Sequence, residues 1–88
     1  EDELWKQFEG HFDQVHGNFI TKLREKYPTL TPQEVKLSAF LRMNMSSKEI
    51  ANLLSISVRG VEISRYRLRK KLPLESNDNL VDFMMKVV

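Results

Sequence analysis

Three helix-start signals crowd into the stretch between Thr31 and Ser57, which limits this part of the chain to short helices joined by tight turns. Thr31-Pro32-Gln33-Glu34 carries a hydroxyl residue, a proline at the first helical position and a glutamate three residues on. That is a capping box, in which side chains satisfy the free amides of a first turn. Ser46-Ser47-Lys48-Glu49 repeats the pattern, and Ser57 stands ready to cap a third helix after the short turn Ser55-Ile56-Ser57. A turn of that length joins the two helices of a helix-turn-helix. Apolar residues recur at helical spacing along the whole chain, and no segment alternates for long enough to make a strand. The fold class expected is all-α, a small helical bundle.

The same reading locates the remaining helices. Leu4, Trp5, Phe8, Phe12 and Val15 are spaced as one face of an amphipathic helix over roughly 2–15, weakened by Gly10. His16-Gly17-Asn18 is a break, with Asn18 as the expected cap of a second helix carrying Phe19, Ile20, Leu23 and Tyr27. Pro28 ends that helix by pushing its predecessor out of helical geometry. The third helix runs to about Met43 and buries Val35, Leu37 or Ser38, and Leu41. A short fourth helix to about Leu54 has Ile50, Ala51, Leu53 and Leu54 as its apolar face. The fifth spans about Val58–Lys71 and is stopped by Pro73. A last helix is predicted over about 77–87, with Leu80, Val81, Phe83, Met84 and Val87 as its apolar residues.

Charge is distributed unevenly. Residues 1–34 carry four Lys/Arg against seven Asp/Glu, residues 35–74 nine against two, and residues 75–88 one against three. The formal net charge of +2 therefore hides a cationic centre of +7 between acidic ends of −3 and −2. Such a centre attracts polyanions, although a solvated charged surface on a small helical domain has the same signature.

The cations concentrate on the fifth helix. With Val61 at the centre of the buried side and about 100° per residue, Leu68 and Leu72 fall beside it and Ser64 and Arg65 at the margins. Arg59, Ile63, Tyr66 and Lys70 fall on the opposite side, flanked by Glu62, Arg67 and Arg69. Charges on such a face supply phosphate attraction, and Ile63 and Tyr66 supply contacts suited to base edges. Arg65 is expected to snorkel or to pair with Glu34 or Glu49, and Arg67 and Lys71 to be ordinary solvent-facing charges. Glu62 repels phosphate. Its readings are a hydrogen bond from a cytosine amino group or, favoured, the orientation of a neighbouring arginine.

These residues resemble the LuxR-type, or GerE-type, helix-turn-helix. The matching positions are Leu30-Thr31 with Glu34, Ser47-Lys48-Glu49-Ile50-Ala51, Ile56-Ser57, Val61 and Lys70-Lys71-Leu72. The resemblance covers roughly residues 30–88. It implies four helices, with the third in the major groove of double-stranded DNA and dimerisation through the fourth. By position it implies base contacts from Glu62, Ile63 and Tyr66, and DNA-backbone contacts from Lys48, Arg59, Arg65, Arg69 and Lys70. The chain departs from the usual pattern at Gly60, Glu62 and Ser64, where threonine, lysine and histidine are common. Residues 1–29 lie outside that domain as an amphipathic helical extension. Their aromatic face (Trp5, Phe8, Phe12, Phe19) is expected to pack on the helix-turn-helix or on a second copy of itself. The flanking style looks like the C-terminal output domain of large bacterial sensor-regulators. This implies a cytoplasmic regulator of transcription, membrane-tethered where its parent chain carries a span, with a sensor upstream.

The other readings are a domain like region 4 of an RNA polymerase sigma factor, touching promoter DNA and the polymerase, and a protein-interaction module that assembles through the aromatic helix. The apolar helix after Pro73 counts against the first. The start at Glu1, without an initiator Met, suggests a piece of a longer chain. No apolar run approaches the roughly 18–20 residues that cross a membrane. The absence of cysteine excludes disulfides and thiolate metal sites and fits a reducing compartment. His11 and His16 fall on different helix faces without a third ligand pattern. Ser46, Ser47 and Ser57 read as caps and not nucleophiles, and three glycines supply no phosphate-cradling loop. Met43, Met45, Met84 and Met85 read as packing residues. Neither an enzyme nor a cofactor is expected.

Overall fold

The computed structural model describes residues 2–87. Six helices follow one another, α1 (Asp2–Val15), α2 (Phe19–Lys26), α3 (Pro32–Arg42), α4 (Ser47–Leu54), α5 (Val58–Lys71) and α6 (Leu80–Met85), and there is no strand among the described residues. The all-α expectation holds. Both capping boxes are closed at both ends. Thr31 Oγ1 accepts from Glu34 N–H while Glu34 accepts from Thr31 N–H, and Ser46 and Glu49 repeat the exchange. Ser57 Oγ accepts from Gly60 N–H at the start of α5.

The hydrophobic core gathers around α3. Val35, Leu37, Ser38, Ala39, Phe40 and Leu41 are all buried, so this helix is covered on nearly every side. The alternative between Leu37 and Ser38 resolves to both. The Ser38 hydroxyl is satisfied by donating to the Glu34 carbonyl at 2.8 Å. Helices α2, α5 and α6 pack against α3. Helix α1 reaches it through aromatic rings, with Trp5 and Phe8 at 6.4 and 6.2 Å from Phe40 between centroids. Phe12 and Phe19 continue that cluster into the core. The aromatic face of the first helices thus packs on the helix-turn-helix, one of the two expected outcomes. Leu4 and Val15 stay outside it, 72% and 79% exposed, because α1 covers α3 with only part of its apolar arc.

Three local expectations are corrected. Asn18 does not cap α2. Its backbone is left-handed (φ 63°) and its side chain makes no cap bond. The cap is the carboxylate of Asp13, on α1, which accepts from Ile20 N–H (2.8 Å), Thr21 N–H (3.1 Å) and the Thr21 hydroxyl (2.8 Å). Consecutive left-handed residues, Gly17 and Asn18, fold the chain back so that Asp13 meets the start of α2. Leu53 is 56% exposed, since a helix as short as α4 buries little beyond Ile50 and Ala51. The last helix begins at Leu80, because Asn79 Oδ1 takes the capping bond from Asp82 N–H, and it ends at Met85. Residues 75–78 form a turn instead, in which Glu75 N–H donates to Asp78 Oδ2 and Asp78 N–H to the Glu75 carbonyl.

Long side chains tie these elements together. Arg42 of α3 donates to His16 Nδ1 (3.2 Å) and to the Met84 carbonyl (2.6 Å), and its guanidinium lies 5.0 Å over the Phe19 ring. Lys71, at the end of α5, donates to Glu34 (2.8 Å) and to the Thr29 carbonyl (3.2 Å), joining the C-terminus of one helix to the N-terminal turn of another. Lys71 is therefore not a simple solvent-facing charge. It takes the Glu34 partnership that Arg65 was a candidate for. Burial alone would raise the Glu34 carboxyl, but hydrogen bonds from Lys71 and Thr31, with the charge of Lys71, hold it below its ordinary value of 4.5.

Two outcomes are expected. Asp13→Ala strips three hydrogen bonds from the start of α2 and should cost about 2 kcal/mol, a fall in Tm of roughly 10 °C by circular dichroism. The depressed carboxyl of Glu34 contributes stability that is complete above its unfolded value of 4.5 and is lost as pH falls through the lower folded value. Urea midpoints at about pH 6 and about pH 3 should therefore converge more in Glu34→Gln than in the parent chain.

Candidate nucleic-acid interface

Helices α4 and α5 pack on each other across the turn 55–57. Ser55 ends α4 in the left-handed region (φ 57°), and its N–H donates to the Ala51 carbonyl. This is the usual way to close a helix and redirect the chain, although the residue is more often glycine. Ile56 tucks partly into the core and Ser57 opens α5. Val61, Leu68 and Leu72 are buried and anchor α5, and Ser64 and Arg65 are half-buried at the margins, as the helical wheel requires.

The outer face of α5 is built from Arg59, Glu62, Ile63, Tyr66 and Lys70, all exposed. Ile63 is 40% and Tyr66 60% exposed, so two largely apolar side chains lie open to water among cations. Lys70 Nζ sits 4.8 Å from the Tyr66 ring centroid, which holds the ring and the charge side by side. Among the described residues, Arg59, Arg65, Arg67 and Lys70 have no ion-pair partner. Lys48 lies in the first turn of α4, exposed. The sequence-derived set Lys48, Arg59, Glu62, Ile63, Arg65, Tyr66 and Lys70 is thus carried by two adjoining helices.

Arg69 and Glu62 differ from the rest. The Arg69 guanidinium donates to the carbonyls of Asp78 (2.7 Å), Glu75 (3.0 Å) and Ser76 (3.4 Å). It organises the turn between α5 and α6. Glu62 accepts a hydrogen bond from the Ser47 hydroxyl at 2.7 Å, and among the described residues no arginine pairs with it. Local sequence alone explains Ser47 as a cap and Lys71 as a solvent-facing charge. Their partners lie 15 and 37 positions away, beyond any local pattern. No three His, Cys, Asp or Glu side chains among the described residues converge as a metal site, and no described helix is long and apolar enough to cross a membrane.

Comparison with known proteins agrees with this geometry. The model of the luxR family of bacterial regulatory proteins matches residues 28–84. The transcriptional regulatory protein TdiR of Thauera aromatica is 41% identical over 58 residues, which cover 66% of this chain and 26% of that protein. The chain therefore spans about a quarter of the length of the curated relative it matches. No solved structure matches the chain significantly. With the closed capping boxes, the three-residue turn and the cationic α5 all inside the matched residues, the chain belongs to the luxR family of bacterial regulatory proteins, helix-turn-helix domains that bind DNA in transcription regulation.

Proposed function

We propose that α5 enters the major groove of double-stranded DNA and reads sequence there, as the output domain of a bacterial transcriptional regulator. The observation that carries this is the outer face of α5, where exposed Ile63 and Tyr66 stand among cations without ion-pair partners. An isoleucine and a tyrosine side by side among cations suit a thymine methyl and a base edge flanked by phosphates. Glu62, Ile63 and Tyr66 face the bases in this reading. Lys48, Arg59, Arg65 and Lys70 contact the sugar-phosphate backbone, and Arg69, three of whose five N–H donors are engaged by carbonyls, adds its charge. Phosphate contacts then supply most of the affinity and set the register.

The full-length protein binds as a dimer in this proposal, through α6, whose Met85 is 47% exposed and whose Val81 and Phe83 are only partly buried. A symmetric pair engages half-sites about one helical turn apart. Residues 1–29 form a coupling element between an upstream sensor and the reader, supported by the packing of Trp5 and Phe8 on Phe40. Such a protein acts in the cytoplasm, with RNA polymerase as a further partner.

Fluorescence anisotropy with a duplex enriched from a random pool, and with a random duplex, tests the reading at two salt concentrations. Tyr66→Ala and Ile63→Ala should narrow the gap between the two duplexes. Lys48→Ala and Lys70→Ala should weaken both alike and reduce the salt slope by about one. Equal weakening of both duplexes by both classes of variant would mean that α5 does not read sequence.

A further inference from the structure

Glu62 is an anion on the outer face of a cationic helix, where it opposes a phosphate backbone. Cations flank it one turn away at Arg59 and Arg65, at spacings that favour side-chain pairing on a helix. It pairs with neither. Its Oε2 accepts from the Ser47 hydroxyl at 2.7 Å, and Ser47 is the first residue of α4. The bond therefore runs between the two helices of the helix-turn-helix, and it fixes the carboxylate against the frame and not against α5 alone. Ser47 is not needed as a cap, because Ser46 fills that role. Among the described residues, Glu62 Oε1 has no hydrogen-bond partner and remains able to accept.

We propose that Ser47 is a positioning residue for sequence readout. It holds the Glu62 carboxylate with an open acceptor toward a base that presents an exocyclic amino group in the major groove, cytosine or adenine. The inference rests on α5 being the reading helix. A free glutamate at this site would fold onto an arginine, or would lose rotamer freedom on meeting the base. The serine removes both costs before DNA arrives, which is preorganisation. It also commits the Ser47 proton to Glu62, so that the hydroxyl does not donate to a phosphate.

The test uses a duplex enriched from a randomised pool by this chain, with every single-base-pair variant of it, titrated by anisotropy. The proteins are the parent chain, Ser47→Ala, Ser47→Thr, Glu62→Ala and the double variant, each checked for an unchanged melting temperature. The parent chain should prefer a cytosine or adenine at one position. Ser47→Ala should lower discrimination there by about 5-fold, the loss of one hydrogen bond's worth of fixation, and leave other positions unchanged. Ser47→Thr should restore it, and the double variant should be no worse than Glu62→Ala alone. If Ser47→Ala weakens all duplexes alike with preferences intact, Ser47 touches phosphate and the proposal is wrong. If Ile63 and Tyr66 variants change preferences but Glu62→Ala changes none, positioning falls while the reading of DNA by α5 stands. If no substitution on α5 changes any preference, or the pool yields no enriched duplex, the reading role of α5 is what fails.

Discussion

Burial of α3 on nearly every side is the constraint from which the rest of the architecture follows. An eleven-residue helix with six buried positions has no exposed stripe to spare for function. It needs several partners to cover it, and the chain supplies them from both directions, α1 and α2 before and α5 and α6 after. Each partner then has one side occupied and one side open. For α5, with its apolar stripe limited to Val61, Leu68 and Leu72, the open side is most of the helix. The width of the open side of α5 is thus a result of how little of the helix the core requires.

Charge follows the same division. Lys71, Arg69 and Arg42 are turned inward, on a carboxylate, on the turn carbonyls 75–78 and on the Met84 carbonyl. Arg59, Arg65, Arg67 and Lys70 have no such commitments among the described residues. The inward cations hold helix ends and turns in place. A protein whose target is a polyanion benefits from this separation, because the cations that hold its fold together are then not in competition with DNA for partners.

Legibility in the sequence followed the range of each interaction. The caps of α3, α4 and α5 involve residues three apart, and the positions of those helices were readable from Thr31, Ser46 and Ser57. The buried and open sides of α5 followed from helical periodicity alone. The Asp13 cap of α2 was not readable, because it acts across a reversal that depends on two left-handed residues. Neither were the pairing of Lys71 with Glu34 and of Ser47 with Glu62, since each needs the packing angle between helices. The sequence pattern places the start of α6 three residues early because Asn77, Asp78 and Asn79 are all competent caps, whereas the Asp78 carboxylate is taken by Glu75 N–H and Asn79 makes the capping bond.

The slender anchorage of α5 has a thermodynamic consequence. A helix containing Gly60 and the β-branched residues Val58, Val61 and Ile63 has modest intrinsic helicity, and Arg and Lys at its end cannot nucleate it alone. Its conformation is lent by the core it rests on, so the outer surface of α5 and the cooperative unfolding of the whole chain share one equilibrium. Anything that grips the outer side of α5 adds to global stability by mass action. Anything that loosens α3 lowers apparent affinity only as far as it lowers the folded fraction.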